Sequence, residues 1–159
     1  MALAAGIVWE FRGTSGSNNN GGGFKTGASG TDYSLQAASQ LSLTDAAMVN
    51  GTTTLTSVTG GFTAAMIGNV IYIRSGTNFV VGWYEITAHT NTNTITIDRD
   101  ATTGSAATGG NMEVGGARAA FTDAFFEALT AGNIVYVKNG GREFGGVLTS
   151  PITVKEYQA

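Results

Sequence analysis

Twenty-four glycines and a single proline, spread through a chain rich in threonine, leave room for little except short extended segments joined by tight turns. Glycine reaches backbone conformations that a side chain forbids, and the branched Cβ of threonine suits a pleated strand better than a helix. The polar surface comes from hydroxyls and amides, because only 12 % of the residues are charged. A mainly β fold is therefore expected. At 159 residues one core is the default, and a hydrophobic share of 42 % is enough to fill it.

Charge and composition exclude several functions. Lys+Arg number 8 against Asp+Glu 11, a formal charge of −3, so no basic excess exists to release counterions from a nucleic-acid backbone. No nucleic-acid partner is expected. With no cysteine and one histidine, disulfides, thiol chemistry and multi-histidine metal centres fall away, and neither a metal nor a cofactor is expected. The apolar opening at residues 1–9 has no basic residue before it and soon meets Glu10 and Arg12, unlike a signal peptide. No run approaches the ~18 apolar residues of a membrane span, so no membrane partner is expected.

Along the chain, residues 7–12 alternate Ile7, Trp9 and Phe11 with Val8, Glu10 and Arg12, the period of a strand with one buried face. The Gly/Ser/Asn run at 13–23 cannot bury apolar surface and reads as a loop, so 1–23 forms a strand on a tether, a possible exchanging arm, and 24–159 a single β-rich domain. Leu35, Leu41, Leu43 and Met48 fit no single period. Clearer strands are expected at 52–58, 69–74, 80–87 and 94–98, with 75–78 as a connection and one helical turn capped by the Thr63 hydroxyl. The Thr/Gly/Ser/Ala run at 101–110 reads as a loop, and Met112-Glu113-Val114 as a brief return to a sheet edge. Phe121, Ala124, Phe125, Ala128 and Leu129 then recur at helical spacing, which predicts one amphipathic α-helix over about 117–131. Strands at 134–138, 142–148 and 152–157 follow, with Asn139-Gly140 as a hairpin turn. The expected architecture is a sandwich or partial barrel of short antiparallel strands.

Reactive constellations are weak. His89 sits in a polar turn, where a solvated role is the ordinary one. Asp98 and Asp100 lack the spacing of a calcium loop, and Glu10, Glu85, Glu113 and Glu143 each read as solvent-facing strand positions. Gly115-Gly116-Ala117-Arg118 has the look of an anion-binding helix entry without a dinucleotide or P-loop spacing, and reads better as a tight turn into a packed helix. No catalytic residue is assigned and an enzyme is not expected. The aromatic residues read as core or subunit interface, with a sugar-stacking platform as the alternative.

Three blocks carry a resemblance: Gly21-Gly22-Gly23-Phe24 with the turn-rich 26–34, the stretch 61–71, and Gly76-Thr77-Asn78-Phe79 with Gly82-Trp83-Tyr84-Glu85-Ile86. They resemble N-terminal segments of bacteriophage virion structural proteins, head segments that commonly precede a right-handed parallel β-helix. By the same resemblance, 132–141 and 151–154 look like a β-helix entry and first rung, so a C-terminal β-helix-like rung is expected. The resemblance implies a non-enzymatic virion component, assembled in the host cytoplasm as a homo-oligomer, a trimer by analogy. A capsid decoration or cement protein bound to the major capsid protein is the first expectation; a tail fibre or spike head-binding domain and a glycan-binding module are the alternatives. Ile7, Trp9, Phe11, Trp83, Tyr84, Ile152, Val154 and Tyr157 are the residues expected at contacts between subunits.

Overall fold

The computed structural model describes residues 6–120, 122, 125, 129–138 and 153–157. In chain order its strands are β1 (Ile7–Arg12), β2 (Gly23–Lys25), β3 (Leu41–Met48), β4 (Thr54–Thr56), β5 (Val70–Thr77), β6 (Gly82–Asn91), β7 (Thr94–Ile97), β8 (Ala107–Val114), β9 (Ile134–Lys138) and β10 (Thr153–Tyr157). Strands β3 to β8 close into a six-stranded antiparallel barrel in the order β3-β4-β7-β6-β5-β8. The other four form a sheet in the order β10-β9-β1-β2. The fold is thus mainly β, as its glycines and threonines foretell, but the barrel is closed rather than partial.

Closure gives each barrel strand a dry inner face. Leu55, Ile71, Ile73, Ile86, Ile95, Met112 and Val114 fill the interior, and Phe62 joins them from the connection between β4 and β5. A sheet closed on itself leaves no open edge within the barrel. The four-stranded sheet packs against the outside of β5 and β6, where Ile7, Trp9, Phe11, Val70, Trp83, Phe125, Leu129 and Val135 form a second apolar cluster.

Several expectations change here. The segment 101–110 is only partly a loop, since β8 begins at Ala107 and pairs with both β3 and β5. Strand β3 breaks its alternation because its register with β8 shifts between Leu43 and Ala46 and again before Met48, each shift inserting an unpaired residue. Residues 75–77, expected as a connection, continue β5. Ala64–Met66 is a 3-10 turn, yet the Thr63 side chain makes no capping bond. Ala117–Ala120 does not begin a helix: the Ala117 N–H donates to the Gln36 carbonyl and the Arg118 N–H to the Glu10 carbonyl, and Arg118 bridges in parallel to Phe11. Of the rest of the helix expected over 117–131, Phe125 is helical with its N–H on the Thr122 carbonyl, 129–131 are not helical, and 121, 123, 124 and 126–128 lie outside the described residues. The strand expected at 142–148, the Asn139-Gly140 turn and Ile152 also lie outside them. In place of the expected C-terminal β-helix-like rung, the described residues hold β9 and β10 as parallel neighbours in the four-stranded sheet.

The Gly/Asn loop, read as a tether, is packed at 20–23. Asn20 is buried and its amide donates to the carbonyls of Ala37 and Ala117 at 2.8 and 2.7 Å, while the Gly21 N–H donates to the Gly115 carbonyl. Strand β1 lies between β2 and β9 in the same chain, antiparallel to one and parallel to the other.

Candidate functional site

Of the residues expected between subunits, Ile7, Trp9, Phe11, Trp83 and Tyr84 are buried within the chain. Ile7 and Trp9 are fully buried, Phe11 nearly so, and Trp83 is 5 % exposed. Phe125 stands edge-on to Trp9, Phe11 and Trp83 at 4.7, 5.0 and 5.5 Å between ring centroids. Tyr72 stacks on Trp83 at 4.6 Å. The Trp9 indole N–H donates to Asn133 Oδ1 at 2.9 Å, so the ring is apolar on its faces and satisfied at its tip. These rings weld the sheet to the barrel wall and leave no exposed platform of Trp9, Trp83 or Tyr84 for a sugar. The backbones of Val154 and Tyr157 lie in β10, on the far side of β9 from β1.

Arg118 sits at the centre of this junction, 1 % exposed. Its guanidinium lies over Tyr72, Trp83 and Phe125 at 5.0 to 5.3 Å, and one Nη donates to the carbonyls of Asn18 and Asn20 at 3.1 Å. Burial pulls it down to about 10, with Tyr72 opposing, so it stays charged at neutral pH. Carbonyl dipoles and ring faces balance that charge. Its Nε and the indole N–H of Trp83 are buried without a hydrogen-bond partner among the described residues. Sequence reasoning took Arg118 for a helix-entry residue. No local signal marks it, because the carbonyls of Asn18 and Asn20 that it bonds lie 100 and 98 positions away.

On the other face of β6 from Trp83, Tyr84 points into the barrel core and its hydroxyl donates to the Val80 carbonyl at 2.7 Å. Burial pushes that hydroxyl up to about 12, with Arg99 pulling the other way. Arg99 covers the ring at 4.2 Å, pairs with Asp98 and donates to the Trp83 carbonyl. Asp98 Oδ1 also accepts the Glu85 N–H at 3.0 Å. Glu85 is half-buried beside this carboxylate, and burial holds its own carboxyl above the usual 4.5, Lys25 opposing. A raised carboxyl means the folded chain binds more protons than the unfolded one above about pH 4.5. Stability from this group is therefore present below that pH and lost as pH rises through its folded value. Glu85→Gln is expected to raise the unfolding free energy at pH 7 and to flatten its decline with pH, measured by urea titrations across the acid range. An unchanged slope would remove Glu85 as the cause.

The other chemistry-bearing residues are used structurally. His89 Nε2 lies 3.2 Å from the Phe62 carbonyl oxygen, which can only accept, so Nε2 carries the proton and tethers the connection closing that end of the barrel. Asp45 accepts from the Ser57 hydroxyl and the Thr59 N–H, which hold its carboxyl below the ordinary value. It lines a shallow groove of about 390 Å³ with Ala47, Thr56, Val58, Asn93 and Thr94. The Asn93 amide is turned onto the Ser57 and Val58 carbonyls. Among the described residues no three His, Asp or Glu side chains gather as a metal-binding group. No helix among them is long and apolar enough to cross a membrane.

What stands out as available is backbone. Strands β1, β9 and β10 run parallel in an unbroken register: Val8, Ile134 and Thr153 share one level, and Arg12, Lys138 and Tyr157 the last. One edge of this sheet is covered by the barrel, where the Lys25 N–H donates to the Gly68 carbonyl at 2.7 Å and Phe24 bridges to Asn69. Asn69 is itself pinned, donating to the Thr31 and Met66 carbonyls and accepting from the Tyr33 N–H. The opposite edge is β10, which pairs among the described residues with β9 alone. No family model, no curated protein and no solved structure matches this chain.

Proposed function

We propose that the chain is a non-enzymatic structural component of a phage virion, working through main-chain strand addition rather than through reacting groups. The observation that supports this reading is the parallel, in-register set β1-β9-β10 with one edge covered by the barrel and β10 at the other. A strand edge presents unpaired donors and acceptors that a neighbouring chain satisfies. With Ile7, Trp9, Phe11, Trp83 and Tyr84 spent within the chain, that edge is the surface best suited to assembly. The state proposed is a homo-oligomer, a trimer by the resemblance, joined to the major capsid protein or another virion protein.

Two virion roles fit, decoration of the capsid shell and the head-binding part of a tail fibre or spike. A stack of parallel strands favours the second, because parallel strands in register repeat along one axis, as a shaft requires. A shell-stabilising patch has no need of such an axis.

The test uses two neighbouring prolines. Alternate residues of a strand turn their N–H groups to opposite neighbours, so of Val154→Pro and Lys155→Pro one removes a bond to β9 and the other an outward donor. Sedimentation of the wild type should reveal an oligomer that co-sediments with purified phage particles. The outward-facing proline should weaken that association about tenfold, the effect of roughly 1.4 kcal/mol for one lost main-chain bond, while tryptophan fluorescence stays native. A wild-type monomer without affinity for particles, or an oligomer untouched by either proline, would refute the proposal.

A further inference from the structure

The dipeptide Asn-Gly occurs at 20–21, 50–51 and 139–140, and the first two lie among the described residues in opposite surroundings. A glycine after asparagine is the least hindered neighbour for ring closure, because the attacking backbone nitrogen belongs to a residue with no Cβ. Asn50 and Gly51 are exposed in the turn between β3 and β4, and an added Cβ on Gly51 would meet nothing within 4 Å. The Gly51 N–H donates to Asp100 Oδ2 at 2.8 Å. The Thr102 hydroxyl donates to Asn50 Oδ1 at 2.8 Å, and the Thr102 N–H holds Asp100 Oδ1 at the same distance. That hydroxyl also lies 3.2 Å from Asp100 Oδ2; having one proton, it serves the shorter contact.

We infer that Asn50 is an autocatalytic modification site, at which the folded protein converts its own asparagine to aspartate and isoaspartate. The nucleophile, its proton acceptor and the polarised carbonyl are gripped by one frame, Asp100 with Thr102. The Gly51 nitrogen bonds to Asn50 Cγ as its proton passes to Asp100. Negative charge developing on Asn50 Oδ1 meets the Thr102 hydroxyl. The side-chain nitrogen leaves as ammonia, taking up the proton, and a five-membered succinimide remains. Solvent water opens that ring at either carbonyl. The product carries one more negative charge, beside Asp100 at the end of the barrel.

Asn20 is the internal contrast. It is 1 % exposed, its amide nitrogen is committed to the Ala37 and Ala117 carbonyls, and the Gly21 N–H faces the Gly115 carbonyl instead of a carboxylate. The experiment incubates the full chain in mildly alkaline buffer and follows each dipeptide by peptide mass spectrometry, native and unfolded in urea. Asn50 should convert about tenfold faster in the native protein than in urea, with Asn20 unconverted until the chain unfolds. Asp100→Asn and Thr102→Val, checked for native circular dichroism, should each slow Asn50 about tenfold or more, hydroxide remaining as a competing base. Conversion of Asn50 no faster in the native chain than in urea overturns the inference without any variant. Equal native rates at Asn20 and Asn50 overturn it too.

Discussion

Gly21→Ala should lower the unfolding free energy by about 3 kcal/mol or more, a large change for one methyl group. The added Cβ would stand 1.9 Å from the Val70 carbonyl oxygen, 2.8 Å from its carbon and 3.0 Å from the Gly115 nitrogen. All three are backbone atoms, so no side chain can swing aside. The same atoms are hydrogen-bonded to one another, the Gly21 N–H to the Gly115 carbonyl and the Gly115 N–H to the Val70 carbonyl, and a wedge here opens both bonds. Urea unfolding should show a lower midpoint with an unchanged slope, the mark of a stability change rather than a change in compactness. Gly27→Ala is the comparison: its Cβ meets nothing within 4 Å, but φ is +80°, so only the left-handed backbone is strained, at about 1–2 kcal/mol. Equal midpoints for the two variants would mean that the loop does not press on β5.

Trp9→Ala should cost about 3–5 kcal/mol, the range for truncating a fully buried large aromatic. Trp9 touches the Phe125 ring edge-on and donates to Asn133 through its indole N–H, so both the cavity and the lost hydrogen bond count. Trp9→Phe separates the two, keeping most of the ring and removing the indole N–H bond to Asn133 Oδ1, at about 1–3 kcal/mol. Because these contacts are made within one chain, the loss should be independent of protein concentration. A gap between the wild-type and Trp9→Ala midpoints that changes with concentration would instead indicate that β1 is supplied by a neighbour, whereas assembly through β10 moves both midpoints together.

The strands that could be read from the sequence are those whose apolar residues alternate cleanly, although Glu10, read as solvent-facing, is buried where it pairs with Arg12. Ile7, Trp9 and Phe11 face inward along β1, and Ile95 and Ile97 along β7, each by the simple period of two. Strand β8 before Met112 was hidden because Thr108, Gly109, Gly110 and Asn111 carry turn chemistry; it is held by pairing on both sides instead. Strand β3 was hidden by its register shifts, which make the step from Leu43 to Ala46 three residues where a regular strand has two. Where a buried residue sits was legible; which surface buries it was not. Trp83 and Tyr84 are neighbours, yet one packs on the outer wall against Tyr72 and Phe125 and the other inside the barrel. Composition foretold the missing charge, but not that Arg118 would be buried among rings, since that depends on closure of the barrel against β1.

The barrel occupies the stretch of chain between two strands that end up side by side. Val8 must wait for Ile134, and the Trp9 indole for Asn133, a separation of 124 positions. Contacts within the barrel span shorter loops and close at lower entropic cost, so β3 to β8 should mature first. As the chain leaves the ribosome, an early apolar ribbon carrying Ile7, Trp9 and Phe11 would then stand uncovered until β9 is made. That interval is the molecule's period of greatest exposure to aggregation, and a chaperone that holds extended apolar segments would be most useful then.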